Sequence, residues 1–213
     1  AVVLDNPSIF WIRYLNHTQV KEKDGVYTGT VHPVLAYHKT AFQADALEYG
    51  GFLQEIIKSL NNSGVQKVST AKKLKLIHDY VVKTYSYRNN SHILSAAATN
   101  ETRSVGYLMT HKEGCCESYA KMIKILCDYY QIPCVTVYSL THMWNQVKIG
   151  NQWYLLDVTW DDEEPVIYTY FLKGARSVID EHHIVTSMFF SDCQGNGIKN
   201  YANYSVPTLS KED

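Results

Sequence analysis

The chain has 213 residues; 46% are hydrophobic, 19% are charged, and its 20 basic and 21 acidic side chains nearly cancel. Such a length fits one domain, 1–213, able to bury a sizeable core, and such a balance supplies no general attraction to nucleic acid or to an anionic membrane surface. No apolar run approaches the roughly 20 residues that a membrane span requires.

Residues 1–35 read as irregular, with short strand-like runs at Phe10-Trp11-Ile12 and Val26-Tyr27-Thr28 broken by Pro7, Gly25, Gly29 and Pro33. A helix is expected over 40–60, where Ala44, Leu47, Ile56 and Leu60 supply an apolar side and "NNSG" at 61–64 ends it. A second starts near Ser69 or Thr70 and runs to about 85, with Leu74, Ile77, Val81 and Thr84 at helical spacing. Residues 86–113 read as polar connection apart from "SVGYLM" at 104–109.

A third helix is expected over 116–130, with Tyr119, Ile123, Cys127 and Tyr130 facing inward and Gln131-Ile132-Pro133 stopping it. The period then changes. "CVTVYSL", "HMWNQVKI" and "QWYLLDVTW" read as successive strands, the last two flanking a turn at Gly150-Asn151, and "IYTYFL" at 167–172 as a fourth. Helices first and consecutive antiparallel strands afterwards make an α+β domain.

The five cysteines are Cys115, Cys116, Cys127, Cys134 and Cys193, an odd number, so pairing within the chain leaves at least one thiol over. None has zinc-site spacing, and "DDEE" at 161–164 reads as a solvated turn rather than a calcium loop, so no metal or other cofactor is expected. Chance explains most of the five Asn-x-Ser/Thr triplets in a chain rich in these residues, which would matter only in a eukaryotic secretory pathway, and the start at Ala1 fits a processed protein or a cut piece.

Chemistry concentrates in "EGCCESYAK" at 113–121, where two cysteines open a helix. A thiol becomes a nucleophile when its thiolate is stabilised and a base is near. The unpaired N–H groups of a first turn favour negative charge by about 0.3–1 kcal/mol at exposed sites. A cysteine there is, taken alone, ordinary core, and helical register does not choose between Cys115 and Cys116. His142 opens a strand-like run and shares a face with Trp144, while Asp157 interrupts the apolar run "WYLLDVTW". Pairing about Gly150-Asn151 places position 142 opposite about 158–159, so His142 meets Asp157 with a small register shift or bulge. Singly, these read as a satisfied imidazole and a local cap. Together, Cys, His and Asp in that order fit a catalytic triad.

The run 114–162 resembles the core of the transglutaminase-like superfamily of papain-type cysteine enzymes, whose G-x-C-x-G-Y-A, G-x-x-H-x-W-N and W-x-x-x-D-x-T-W-D patterns stand here as "GCCESYA", "LTHMWNQV" and "WYLLDVTWDD". "KLKLIHDYVVKTYSY" is similar to the preceding helix, and the motifs span about 70–175. The resemblance implies that Cys116 is the nucleophile, His142 its proton partner and Asp157 the residue orienting His142, with Ser118 standing where many relatives have glycine. It implies acyl transfer from a glutamine side chain to a primary amine through a thioester, on protein or peptide substrates, with the Cys116 N–H as one oxyanion donor. Tyr107 and Trp144 are alternatives for a second donor or simple packing, and the tryptophans mainly pack the core. Many bacterial relatives of this layout are exported, which implies an extracellular or cell-surface setting. A cysteine protease, amidase or deamidase with the same triad, and a non-catalytic binding module, are the competing readings.

Overall fold

The structure, a computed structural model, describes residues 12–24, 26–35, 39–88, 102–139, 142–178 and 206–213; over 12–22, 26–35 and 39–47, and at Tyr138, it describes the backbone. The chain opens with a hairpin of β1 (Ile12–Lys23) and β2 (Val26–Leu35). This corrects the expectation of short broken runs. Pairing continues from Lys23↔Val26 to Ile12↔Leu35, with Pro33 opposite Leu15 and Gly29 inside a register shift between Thr18 and Lys21. In a two-stranded ribbon both strands are edges, where a proline need not cost a ladder bond, and an irregularity absorbs the glycine. Pro7 and the start of the Phe10-Trp11-Ile12 run lie outside the described residues.

Helix α1 (Lys39–Asn62) matches the expected 40–60 segment, and Ile56 and Leu60 are buried as the stripe requires; the side chains of Ala44 and Leu47 lie outside the described ones. Gly64, at φ 82°, turns the chain into a short 3-10 segment, Val65–Lys67. Helix α2 (Thr70–Thr84) follows Ser69 and buries Leu74, Ile77 and Val81. His78 lies on the same core face, fully buried, whereas Thr84 is only half-buried.

Within the expected connection, the chain forms β3 (Ser86–Tyr87), a seven-residue helix α3 (Val105–His111) and β4 (Glu113–Gly114), with β3 and β4 paired in parallel. Helix α3 buries Val105, Leu108 and Met109, and the Ser104 hydroxyl accepts the Gly106 N–H at 3.2 Å. Too few turns are present for periodicity to announce such a helix. Helix α4 (Cys116–Tyr129) then buries Tyr119, Ile123 and Cys127 and packs against the sheet.

The main sheet is antiparallel in the order β5 (Cys134–Tyr138), β6 (Met143–Ile149), β7 (Gln152–Leu156), β8 (Phe171–Lys173). The β6–β7 hairpin closes at Ile149↔Gln152 with Gly150 at φ 59°, as expected of Gly150-Asn151. Strand β7 stops at Leu156, short of the expected Trp160, because Asp157 draws the chain into a turn. Strand β8 begins at Phe171 rather than 167, because the preceding residues are bound to Asp161 instead. One core joins α1, α2, α3 and α4 to the sheet through Val147, Leu156 and Val158. The protein is α+β, with helices packed on an antiparallel sheet.

Candidate active site

Cys115, not Cys116, is the N-cap of α4. Its backbone is extended (φ −111°, ψ 178°); its sulfur accepts the Ser118 N–H while the Ser118 hydroxyl accepts the Cys115 N–H at 3.0 Å, a reciprocal capping box. The Cys115 thiol also donates to the Thr102 carbonyl at 3.5 Å. Gly114 is required here. A Cβ on it would meet the Ser118 Oγ at 2.2 Å and Leu108 Cδ1 at 2.9 Å. Ser118, the departure from the glycine of the resemblance, therefore caps the helix start and closes it against Gly114.

Cys116 takes the first helical position, where its N–H has no intrahelical acceptor. Its half-buried thiol receives the Met143 backbone N–H and lies in the field of Asp157, so it faces the strand start that carries His142. Asn145 ties this strand to the helix, donating to the Ala120 carbonyl at 3.0 Å.

His142 Nε2 lies 2.5 Å from Asp157 Oδ2, and both side chains are almost wholly buried. The ring sits between two indoles, Trp144 at 5.9 Å, nearly parallel, and Trp160 at 5.3 Å. The β6–β7 register, Asn145↔Leu156, extrapolates to position 159 opposite 142, yet the sheet ends before that point. Asp157 reaches His142 because its other oxygen, Oδ1, accepts the N–H groups of Thr159 (3.0 Å) and Trp160 (3.3 Å) and folds the chain back. Local cap and histidine partner are thus both present, one on each carboxylate oxygen.

Residues 58–158 match the family described as the Transglutaminase-like superfamily. The matched region is similar to a transglutaminase-like core. Two solved structures are similar to parts of the chain. One, described as a TGase, is 14% identical with a TM-score of 0.47, over 58% of this chain and 34% of that one. The other, provisionally named a cysteine protease, from Cytophaga hutchinsonii, is 23% identical with a TM-score of 0.31, over 41% of this chain and 30% of that one. The chain thus spans about a third of the length of these two structures. Among curated proteins there is no match.

At the start of α4 the two adjacent thiols act on each other. The Cys115 thiol is held down at about 6, first by a hydrogen bond from Cys116 and then, against the opposing effect of burial, by the N–H groups of Glu117 and Ser118. The same contact pushes Cys116 up, with burial and the charge on Cys115 adding to it. Negative charge on one sulfur therefore opposes it on the other.

Tyr107 donates its hydroxyl to Glu113 at 3.1 Å and accepts from Arg88 at 2.7 Å, and Trp144 is buried against His142. Two residues that the sequence did not assign to the site border it. Tyr87 is half exposed, and its phenol is pushed up by burial first and then by the nearby charges of Cys116, Cys115 and Asp157. Asp162 accepts the Tyr119 hydroxyl at 2.7 Å and the Tyr87 N–H, joining α4 and β3 to the turn after Asp157. Its advance signals were its place next to the final "WD" of the strand motif and its membership of "DDEE" at 161–164, which read as a solvated turn.

Proposed function

We propose that the chain is a cysteine acyltransferase of the transglutaminase type, with Cys116 as nucleophile, His142 as proton carrier and Asp157 as its orienting carboxylate. One observation carries this reading. The sulfur of Cys116, at the first turn of α4, sits against the Met143 N–H, and the neighbouring residue, His142, is bound through Nε2 to a buried carboxylate.

With Nε2 engaged by Asp157, Nδ1 is the nitrogen for the thiol. Transfer of the Cys116 proton to Nδ1 gives a thiolate and an imidazolium whose charge Asp157 stabilises. The thiolate attacks a glutamine carboxamide carbon, and the oxyanion takes the Cys116 N–H at the helix start. His142 protonates the departing nitrogen, ammonia leaves, and a thioester remains. A primary amine then attacks the thioester, His142 takes its proton, and the thiolate is released with a new amide.

The test offers the full chain a glutamine-bearing protein and a fluorescent primary amine. Incorporation of the amine that vanishes in Cys116→Ala, with a thioester adduct found by intact mass, is the expected result. Backbone cleavage or release of ammonia without incorporation assigns hydrolysis instead. A Cys116 inert to mild alkylation near neutral pH marks a binding module.

A further inference from the structure

Four residues beyond Asp157 the same turn carries a second aspartate, and it too has a histidine. The side chains of Asp161 and His78 are both 0% exposed, and His78 Nε2 lies 3.2 Å from Asp161 Oδ2. The reaction described above uses neither. Two ionisable groups buried without a chemical task are an expensive way to hold a helix to a turn, since well-packed apolar residues do so at least as well.

The connections of Asp161 show what the pair holds. Its Oδ1 accepts the Tyr170 N–H at 2.9 Å, and the carbonyl of the same Tyr170 accepts the Asp157 N–H at 3.1 Å. Tyr170 is thereby gripped at both polar ends, by one aspartate on each side. The Asp161 carbonyl accepts the N–H groups of Glu163 and Ile167, closing the turn from within. His78 is itself held in orientation. Its Nδ1 lies 3.2 Å from Asp79 Oδ1, Asp79 is bound by Lys75 at 2.7 Å and by the Tyr168 hydroxyl at 2.9 Å, and the rings of Tyr168 and Phe171 pack on the imidazole.

We propose that His78 and Asp161 form a positioning pair, which fixes the backbone of Asp157 through Tyr170 and so sets how Asp157 meets His142. This rests on the reading of Cys116, His142 and Asp157 as the reacting set. The pair touches no substrate; it acts by placement. Displacements of about 1 Å at a reacting group cost on the order of a hundredfold in rate, so a partial loosening is expected to cost about tenfold.

The experiment follows alkylation of Cys116 by iodoacetamide in the full chain between about pH 5 and 8, where an imidazole partner is felt, with peptide fragmentation between Cys115 and Cys116 assigning the site. Glutamine places its amide nitrogen near the Nε2 position of histidine, and asparagine near Nδ1. His78→Gln therefore keeps a donor for Asp161, whereas His78→Asn keeps one for Asp79 only. His78→Asn is expected to slow alkylation about tenfold on the acidic side and to move that limb upward, with His78→Gln restoring most of the wild-type profile. A folded His78→Asn with the wild-type profile, or His78→Gln shifted as far as His78→Asn, overturns the proposal. If His78→Asn does not fold by circular dichroism, Asp161→Asn is read the same way, a shift supporting and a wild-type profile overturning. A wild type that itself lacks alkylation on the acidic side sinks the reading of the site. An unshifted His78→Asn beside a reactive wild type sinks only the positioning pair.

Discussion

The two histidine–aspartate pairs make the most instructive comparison in the molecule. Their aspartates stand four residues apart on one turn, and their histidines come from different elements, His142 from just before β6 and His78 from α2. His142–Asp157 is short, at 2.5 Å, with the imidazole 7% exposed and a thiol on the neighbouring helix start. His78–Asp161 is longer, at 3.2 Å, fully enclosed, and faces a second carboxylate, a tyrosine and a phenylalanine instead of a sulfur. The residue types are identical. What distinguishes the two pairs is the third group within reach, a thiol beside one and a second carboxylate with aromatic rings around the other.

The largest effect that can break this contrast is expected at Asp157. Asp157→Asn keeps the shape and the turn-capping oxygen but disturbs the orientation and charge of His142. Amine incorporation should fall by about three to four orders of magnitude while the thermal melt barely moves. A variant that kept its activity but melted well below the wild type would reverse the assignment of the two pairs.

Asp161 should behave in the opposite sense on stability. Asp161→Ala leaves His78 buried beside Asp79 without its other carboxylate and orphans the Tyr170 N–H. Breaking a buried pair of this kind costs about 3–5 kcal/mol, measurable as a lower midpoint in urea. A midpoint equal to that of Asp157→Asn would show that enclosure does not distinguish the pairs.

How far the sequence foretold this arrangement differs between the pairs for physical reasons. His142 and Asp157 were legible because strand alternation and a two-residue turn fix which positions can meet, and because a carboxylate inside an apolar run demands a partner. The exact route was not legible: the sheet ends at Leu156 and the contact is made by a turn that Asp157 itself caps. His78 was hidden by its own setting. It lies between Leu74 and Val81 on the core face of α2, where a histidine looks like one more member of the stripe, and its partner stands 83 residues away. Helix α4 was placed by Pro133 at its end and by "GCC" at its start. The β1–β2 hairpin was missed because Gly29 and Pro33 are strand breakers in a sheet interior but tolerable on a ribbon with two edges.

The smallest effect concerns the third group, since α4 offers two thiols and only one can make the His142 pair reactive. Cys115 caps the helix, and its hydrogen bond with Cys116 is the first cause that pushes Cys116 up, followed by burial and then by the charge on Cys115. Cys115→Ser puts a hydroxyl oxygen in place of the capping sulfur, and serine ranks among the best N-cap residues, so the fold should hold. It removes the competing thiolate, and the sign follows: with no charge on its neighbour, Cys116 ionises at lower pH than before. Alkylation of Cys116 on the acidic side should then run several-fold faster, followed by peptide mass, and amine incorporation should persist. If Cys115→Ser abolished incorporation while Cys116→Ala spared it, the nucleophile would be Cys115. The sulfur that receives the Met143 N–H would then be the spectator, and the distinction between the two histidine–aspartate pairs would rest on the wrong thiol.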